Sequence, residues 1–342
     1  MAKILQTPAF LTLKIFLCLA AACATPVTAQ DCSPNSISLD SQEKIDSFQT
    51  NHGPCNRVVT DIFSSGADIV HLDGLSAITS VGGNVRIEAN DALANIDGLS
   101  ALTNVDGEGL RIANNAALTN VNGLSALTDV DGLQLTDNAA LINVDGLSAL
   151  TNVTWLGIWN NNALTNVDGL SALTSESDLY MDIKGNDALI NVDGLSALTI
   201  VGRLDILNND SLTNIDGLSA LTSVVTLSIS DNDALTSIDG LRALTNAVVL
   251  YIRLNKALTN VNGLSGLTAV EGLLIYDNSV LANCQGILKL VDPIDDYEPG
   301  PEVTSLVLSN NLPGCNSVTE ILAEAPLMKI NAGLNDAWFN KE

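Results

Sequence analysis

The chain has 342 residues, with 39 acidic against 14 basic side chains and a formal net charge of −25. Such a surface repels nucleic acid and anionic lipid, and it suits an extracellular protein or one that binds cations. Aromatic residues make up 4% of a chain that is 46% hydrophobic, which predicts a thin core of small aliphatic side chains.

The first 29 residues read as a secretory signal peptide. Lys3 and Lys14 supply positive charge, and Ile15 to Ala24 is apolar but too short to span a bilayer. Val27-Thr28-Ala29 offers small residues for cleavage after Ala29. A lipoprotein reading would cut before Cys23, but Ala20 stands where Leu is usual. Removing this segment takes away two lysines and no acid, so the remaining chain is still more acidic. Localisation is expected to be secreted or cell-surface, with no transmembrane segment.

Cleavage would also remove two of the six cysteines, Cys18 and Cys23, leaving Cys32, Cys55, Cys284 and Cys315. Four cysteines allow three pairings. The repeats between them would hold the two pairs about 40 Å apart at roughly 4.8 Å per rung. Only Cys32–Cys55 and Cys284–Cys315 then remain, one at each end of the array, where exposed core needs a cap.

From there Asp-Gly-Leu-Ser-Ala-Leu-Thr recurs, with its glycine at Gly74, Gly98, Gly123, Gly146, Gly169, Gly194, Gly217, Gly240 and Gly263, and a worn copy at Gly286. The steps are 23 to 25 residues, the period of a solenoid whose units bury their apolar faces against one another. In the repeat Asp145 to Val167 the core positions are Leu147, Leu150, Val153, Leu156, Ile158, Leu164 and Val167. Asp145-Gly146 reads as a turn in which Gly supplies positive φ and Asp caps nearby amides. Leu156-Gly157-Ile158 alternates in the strand period. Its equivalents run from Val85–Ile87 to Leu306–Leu308 and predict one parallel sheet of about ten rungs. Length varies only between Ser-Ala-Leu-Thr and the strand, so insertions belong to one edge.

Three further columns recur. An Asn follows each strand (Asn90, Asn115, Asn138, Asn161, Asn186, Asn209, Asn232, Asn255, Asn278, Asn311), and its amide can bond neighbouring turns. The Asp before each glycine reads as a turn cap. A calcium ladder through it is the weaker alternative, because Asn122 and Asn262 interrupt the column and each turn supplies one carboxylate. A Thr column (Thr79, Thr103, Thr128, Thr151, Thr174, Thr199, Thr222, Thr245, Thr268) reads as hydroxyls bonded to backbone. The ice-lattice alternative needs a second clean rank of Thr, which Ile142 and Ile190 break.

Leu-x-Ile-x-x-Asn followed by Ala-Leu-Thr-Asn-Val-Asp-Gly-Leu-Ser-Ala-Leu-Thr resembles the receptor L-domain-like proteins, leucine-rich-repeat relatives found on microbial surfaces. Ile37-Ser38-Leu39, Gly53-Pro54-Cys55 and Asn310 to Ser317 fit that family's caps, and the resemblance covers about residues 31 to 323. It implies a mainly β, right-handed, leucine-rich-repeat-like parallel β-solenoid with disulfide-capped ends and a recognition role. The expected organisation is signal peptide 1–29, N-terminal cap 30–66, repeat solenoid 67–283, and C-terminal cap and tail 284–342.

Departures from the repeat mark where function is expected. Trp155, Trp159, Tyr180, Arg203, Tyr251, Arg253 and Tyr276 occupy outward strand positions as candidate ligand contacts, with Arg86, Arg111, Asp182, Lys184 and Asp205 on the same face. The insertion Ser175-Glu176-Ser177-Asp178 is expected to jut beside Trp155 and Tyr180; Gly107-Glu108-Gly109 is a similar departure. The sequons at Asn152 and Asn209 read as chance matches, since Asn209 belongs to the Asn column. His52 and His71 have no Cys or Ser partner in a recognisable spacing, so no catalytic, cofactor or metal site is assigned. Pro- and acid-rich Leu288 to Glu302 should cross the C-terminal cap, followed by a short helix at Thr319 to Ala323 and then Trp338 and Phe339, packed on the cap or loose. The expected function is non-catalytic recognition or adhesion toward an extracellular protein or carbohydrate. The alternatives are a structural spacer and, third, ice binding.

Overall fold

The computed structural model describes residues 30–32, 35–174, 176–291 and 303–324. The expected signal peptide, Ser175, most of the segment beyond Leu288 and the Trp338-Phe339 tail lie outside the described residues. The strands are β1 (Ile37–Leu39), β2 (Arg57–Val58), β3 (Ile62–Ser64), β4 (Ser80–Val81), β5 (Val85–Glu88), β6 (Asn104–Val105), β7 (Leu110–Ala113) and β8 (Asp129–Thr136). They continue as β9 (Asn152–Trp159), β10 (Glu176–Lys184), β11 (Ile200–Leu207), β12 (Ser223–Ser230), β13 (Asn246–Arg253), β14 (Ala269–Tyr276) and β15 (Ser305–Ser309). All pair in parallel in one unclosed sheet, ordered β1-β3-β5-β7-β8 and then consecutively to β15, with β2, β4 and β6 extending the same rungs. This is a leucine-rich-repeat-like parallel β-solenoid.

The register stacks Val85, Leu110, Leu133, Leu156, Met181, Leu204, Leu227, Leu250, Leu273 and Leu306 in one inward column, as the sequence predicts. All seven core positions of the repeat from Asp145 are buried, so each rung closes its apolar face on its neighbours. The sheet also starts two rungs before the first recognisable repeat strand. Ile37–Leu39 pairs with Ile62–Ser64, which pairs with Val85–Ile87. Beside this end pack α1 (Gln42–Asp46) and α2 (Phe48–His52), with Ile45 and Phe48 fully buried. Disulfides Cys32–Cys55 and Cys284–Cys315 stand at the two ends, with Cα atoms 5.1 and 5.4 Å apart. The far end carries α3 (Leu288–Val291) and α4 (Val318–Ala323), the latter capped by the Ser317 hydroxyl accepting the Glu320 N–H.

The Asn column is a continuous buried ladder. Each Asn side-chain oxygen accepts the backbone N–H of the preceding Asn, as from Asn138 to Asn161 at 3.1 Å. Each side-chain nitrogen donates to the preceding strand, as from Asn161 to the Leu135 carbonyl at 3.0 Å. The ladder runs from Asn90 to Asn311 and closes on Asn316, whose Oδ1 accepts the Asn311 N–H at 2.8 Å. The Thr hydroxyls likewise donate to the previous rung, as from Thr151 to the Thr128 carbonyl.

Two sequence expectations about the Asp-Gly turn are corrected. The repeat glycines do not have positive φ; among described glycines that conformation is confined to Gly109, Gly185 and Gly314. The repeat glycine instead sits inside a 3-10 turn pressed against the previous rung, where a Cβ at Gly169 would collide with the Val144 carbonyl oxygen. Positive φ belongs to the residue before the ladder Asn, such as Asp137, Asn160, Asn208 and Asp231. The cap, moreover, is not the Asp: the Asp168 N–H donates to the Asn166 side chain, and Asp97, Asp145, Asp193 and Asp216 do the same with the Asn two residues earlier.

Gly169→Ala tests the close approach. A turn limited by local propensity would gain up to about 1 kcal/mol from Ala. A backbone collision should lower stability by about 2 kcal/mol in urea denaturation, and a gain would contradict it. Asn161→Ala leaves the buried Asn138 N–H without its acceptor and removes the amide's bond to the Leu135 carbonyl; it should cost about 3 kcal/mol, whereas exposed Asn162→Ala should stay within about 0.5 kcal/mol. Equal stability of these two Asn variants would remove the ladder from the account.

Candidate functional site

The outward face of the sheet has three columns. The middle one runs Arg86, Arg111, Gln134, Gly157, Asp182, Asp205, Ser228, Tyr251, Leu274, Val307. On one side stand Gly132, Trp155, Tyr180, Arg203, Thr226 and Val249; on the other Thr136, Trp159, Lys184, Leu207, Ser230, Arg253 and Tyr276. All seven candidate residues lie on this face, but in two groups.

The first group is built around Gly157. The Trp155 and Trp159 rings fold over it, edge to face with centroids 5.5 Å apart, and each reaches within 3.0 Å of where a Cβ would stand. The pair is half-buried and the Trp159 indole nitrogen is enclosed, so it is not the open stacking platform expected from two outward tryptophans. Tyr180 stands beside Trp155 on the next rung, and the Arg203 guanidinium lies 5.1 Å above the Tyr180 ring centre. The insertion before Tyr180 does not jut out as a loop. It enters β10 as a bulge, with Glu176 paired to Val201 and Tyr180 to Arg203, so the extra residues leave the downstream register intact. Glycine resolves the other departure: Gly109 has φ 134°, where a Cβ would meet the Gly132 carbonyl.

The second group is Tyr251, Arg253 and Tyr276. Arg253 donates to the Tyr276 hydroxyl and the Ser230 hydroxyl, both at 3.3 Å, and stacks 5.9 Å from the Tyr276 ring centre. Between the groups lies a groove of about 460 Å³, lined by Arg203, Asp205, Leu207, Thr226, Ser228, Tyr251, Arg253 and Tyr276. Its floor comes from β12, whose Thr226 stands between Arg203 and Val249 and whose Ser228 stands between Asp205 and Tyr251. The Ser228 hydroxyl bonds to that of Ser230 beneath it at 3.1 Å. The sequence signal for the groove was this run of small hydroxyls between bulky outward neighbours, which reading aromatics alone overlooked.

Asp205 is 2% exposed and neutralises Arg203, whose Nε and Nη2 both lie 2.8 Å from Asp205 Oδ2. Asp182, on the adjacent rung, has its carboxyl held above the usual range by burial first and by the Asp205 charge second; Lys184, the Trp159 indole and Arg203 pull the other way. Oδ1 of both aspartates is buried without a hydrogen-bond partner.

A larger trough, about 650 Å³, follows the turn ledge past Asp137, Asn160, Asp187, Asp210, Asp231 and Asp233. It lacks aromatics, and its one lysine, Lys256, pairs with Asp233 at 2.8 Å. Arg86 and Arg111 lie at the other end of the sheet, the latter paired with Glu88 and bonded to Gln134. Among the described residues no group of three or more His, Cys, Asp or Glu is placed to hold a metal ion, and no helix is long and apolar enough to cross a membrane. Asn209 is fully buried in the ladder, where glycosylation would break the fold.

No family model matches the chain, and no curated protein matches it. Among solved structures it is similar to the leucine-rich repeat domain of the type III effector XopL, with 15% identity and a TM-score of 0.36 over 57% of this chain and 68% of that one. It is also similar to a chain of the Toll–Spatzle complex of Drosophila, with 16% identity and a TM-score of 0.26 over 82% of this chain and 48% of that one. The chain therefore spans about half the length of that second neighbour. At such values neither neighbour assigns a role to any residue here.

The environment of Asp182 has a measurable consequence. A carboxyl raised in the fold disfavours the native state above its folded pKa, and the penalty is relieved as pH falls through that value. Asp182→Asn should therefore raise the thermal midpoint at neutral pH, and the gain should shrink as pH approaches about 4. A pH-independent difference would show that charge at Asp182 is not the cause.

Proposed function

We propose that the chain is a secreted, non-catalytic recognition protein of the receptor L-domain type, binding its ligand on the outward sheet face. In this reading residues 30–66 close one end, 67–283 form the binding scaffold and 284–342 close the other, after loss of residues 1–29. The observation that carries it is the groove, where Arg203 over Tyr180 forms one wall and Tyr251, Arg253 and Tyr276 the other, above a floor recessed by Thr226 and Ser228. Arg and Tyr held by stacking and hydrogen bonds are side chains already ordered before binding, so little conformational entropy remains to be lost. The two disulfides support an oxidising compartment.

Binding of the purified chain to intact cells and to a protein and glycan array tests this. Tyr251→Ala should weaken saturable binding by about tenfold or more, since truncating an anchoring aromatic typically costs above about 1 kcal/mol. Trp155→Ala with Trp159→Ala should weaken it less, because that pair packs on Gly157. Absence of saturable binding, with both variants indistinguishable from the parent, would replace recognition with the spacer reading.

A further inference from the structure

The groove contains two guanidinium groups in unlike electrostatic states. Arg203 is neutralised within the groove by Asp205. Arg253 is held by neutral partners only, the hydroxyls of Ser230 and Tyr276 and the Tyr276 ring. No carboxylate lies within 4.0 Å of it among the described residues; Arg86, at the far end of the same face, is also without one and lies over the Phe63 ring, whereas Arg111 and Arg203 are each paired. In a chain of net charge −25, a guanidinium held in place by neutral partners is free to meet a counter-charge that a ligand supplies.

The rest of the lining defines the neutral part of that ligand. Thr226 and Ser228 offer hydroxyls that both donate and accept, and Tyr251 sets a ring beside Ser228 on the next rung. Among the lining residues only Leu207 is aliphatic, so there is no apolar pocket for a peptide side chain. A pyranose fits this set: its C–H face lies on an aromatic ring and its hydroxyls exchange hydrogen bonds with small hydroxyl side chains. The planar guanidinium matches a planar carboxylate. The acidic surface opposes a polyanion, so one carboxylate is favoured over many.

We infer that the groove binds an acidic sugar residue, a single hexuronate-type carboxylate on an otherwise neutral glycan, with the carboxylate on Arg253 and the sugar ring beside Tyr251 over the Ser228 floor. This rests on the groove being the recognition surface, and it specifies what that surface recognises.

The test uses an array in which each neutral oligosaccharide is printed twice, once ending in a hexuronate and once with that carboxylate reduced to the primary alcohol. Saturable binding to one or more acid-terminated members is expected. Binding to the reduced partner should be weaker by about tenfold or more, the scale of a lost charge-assisted pair. Arg253→Gln should abolish the preference for the acid form, and Ser228→Leu, which fills the floor, should abolish binding to both forms. Arg242→Gln, outside the groove, should change neither, and thermal midpoints establish that each variant is folded. Equal binding of acid and reduced forms would overturn the carboxylate assignment while leaving the groove as a recognition site. Binding to cells that is lost in Tyr251→Ala, without any glycan bound, would overturn the sugar assignment alone and favour a protein partner. No binding to cells or array by any form would overturn both readings.

Discussion

One backbone contact governs this protein: the repeat glycine pressed against a carbonyl of the rung before it, as Gly169 is against Val144. No side chain fits there, so every rung must approach its neighbour in the same way, and the turn that contains this glycine cannot drift. The Asn ladder completes the constraint from the other edge. Its amides satisfy donors and acceptors that the tight turns leave buried, and each amide bonds to adjacent rungs. Rungs held at both edges keep a constant register across the sheet even where residues are inserted. The bulge in β10 and the positive-φ Gly109 absorb the extra length before the register-bearing part of the strand.

Much of this was legible because a solenoid writes its structure in columns. Core positions, strand register, the buried Asn, the backbone-bonded Thr and the two disulfides all follow from period and spacing. Part of what was not legible depends on contacts between residues in different rungs, and part on which of two nearby side chains reaches an amide. The glycine was read as a positive-φ turn, since sequence shows the residue type but not the carbonyl facing it. Asp seemed the natural cap, yet Asn166 lies two residues nearer the chain's approach and reaches the amide first. The first two rungs were read as cap because Ile37–Leu39 and Ile62–Ser64 lack the repeat signature, although they pair in the same sheet.

The candidate site shows the same division. All seven candidate residues lie on the outward face that the strand period assigns them. Their grouping was not readable, because it follows from small residues: Gly157 lets two indoles close on each other, and Ser228 opens a recess between bulky neighbours. The aromatic pair that looked most like a ligand platform is partly spent on packing. The groove that remains joins residues from four rungs, β11 to β14, and no one repeat contains it.

In the proposed reading, a uniform interior with free outward columns places ligand contact on the outward face of the sheet. Hydroxyl-radical footprinting of the chain bound to intact cells tests that most directly, because tyrosine and tryptophan side chains report their own accessibility. Protection of Tyr251 and Tyr276, with the Asp-rich turn ledge and the disulfide-bonded ends unchanged, is the predicted result. Protection of the ledge or the ends, with Tyr251 and Tyr276 as reactive as in the free chain, would contradict it.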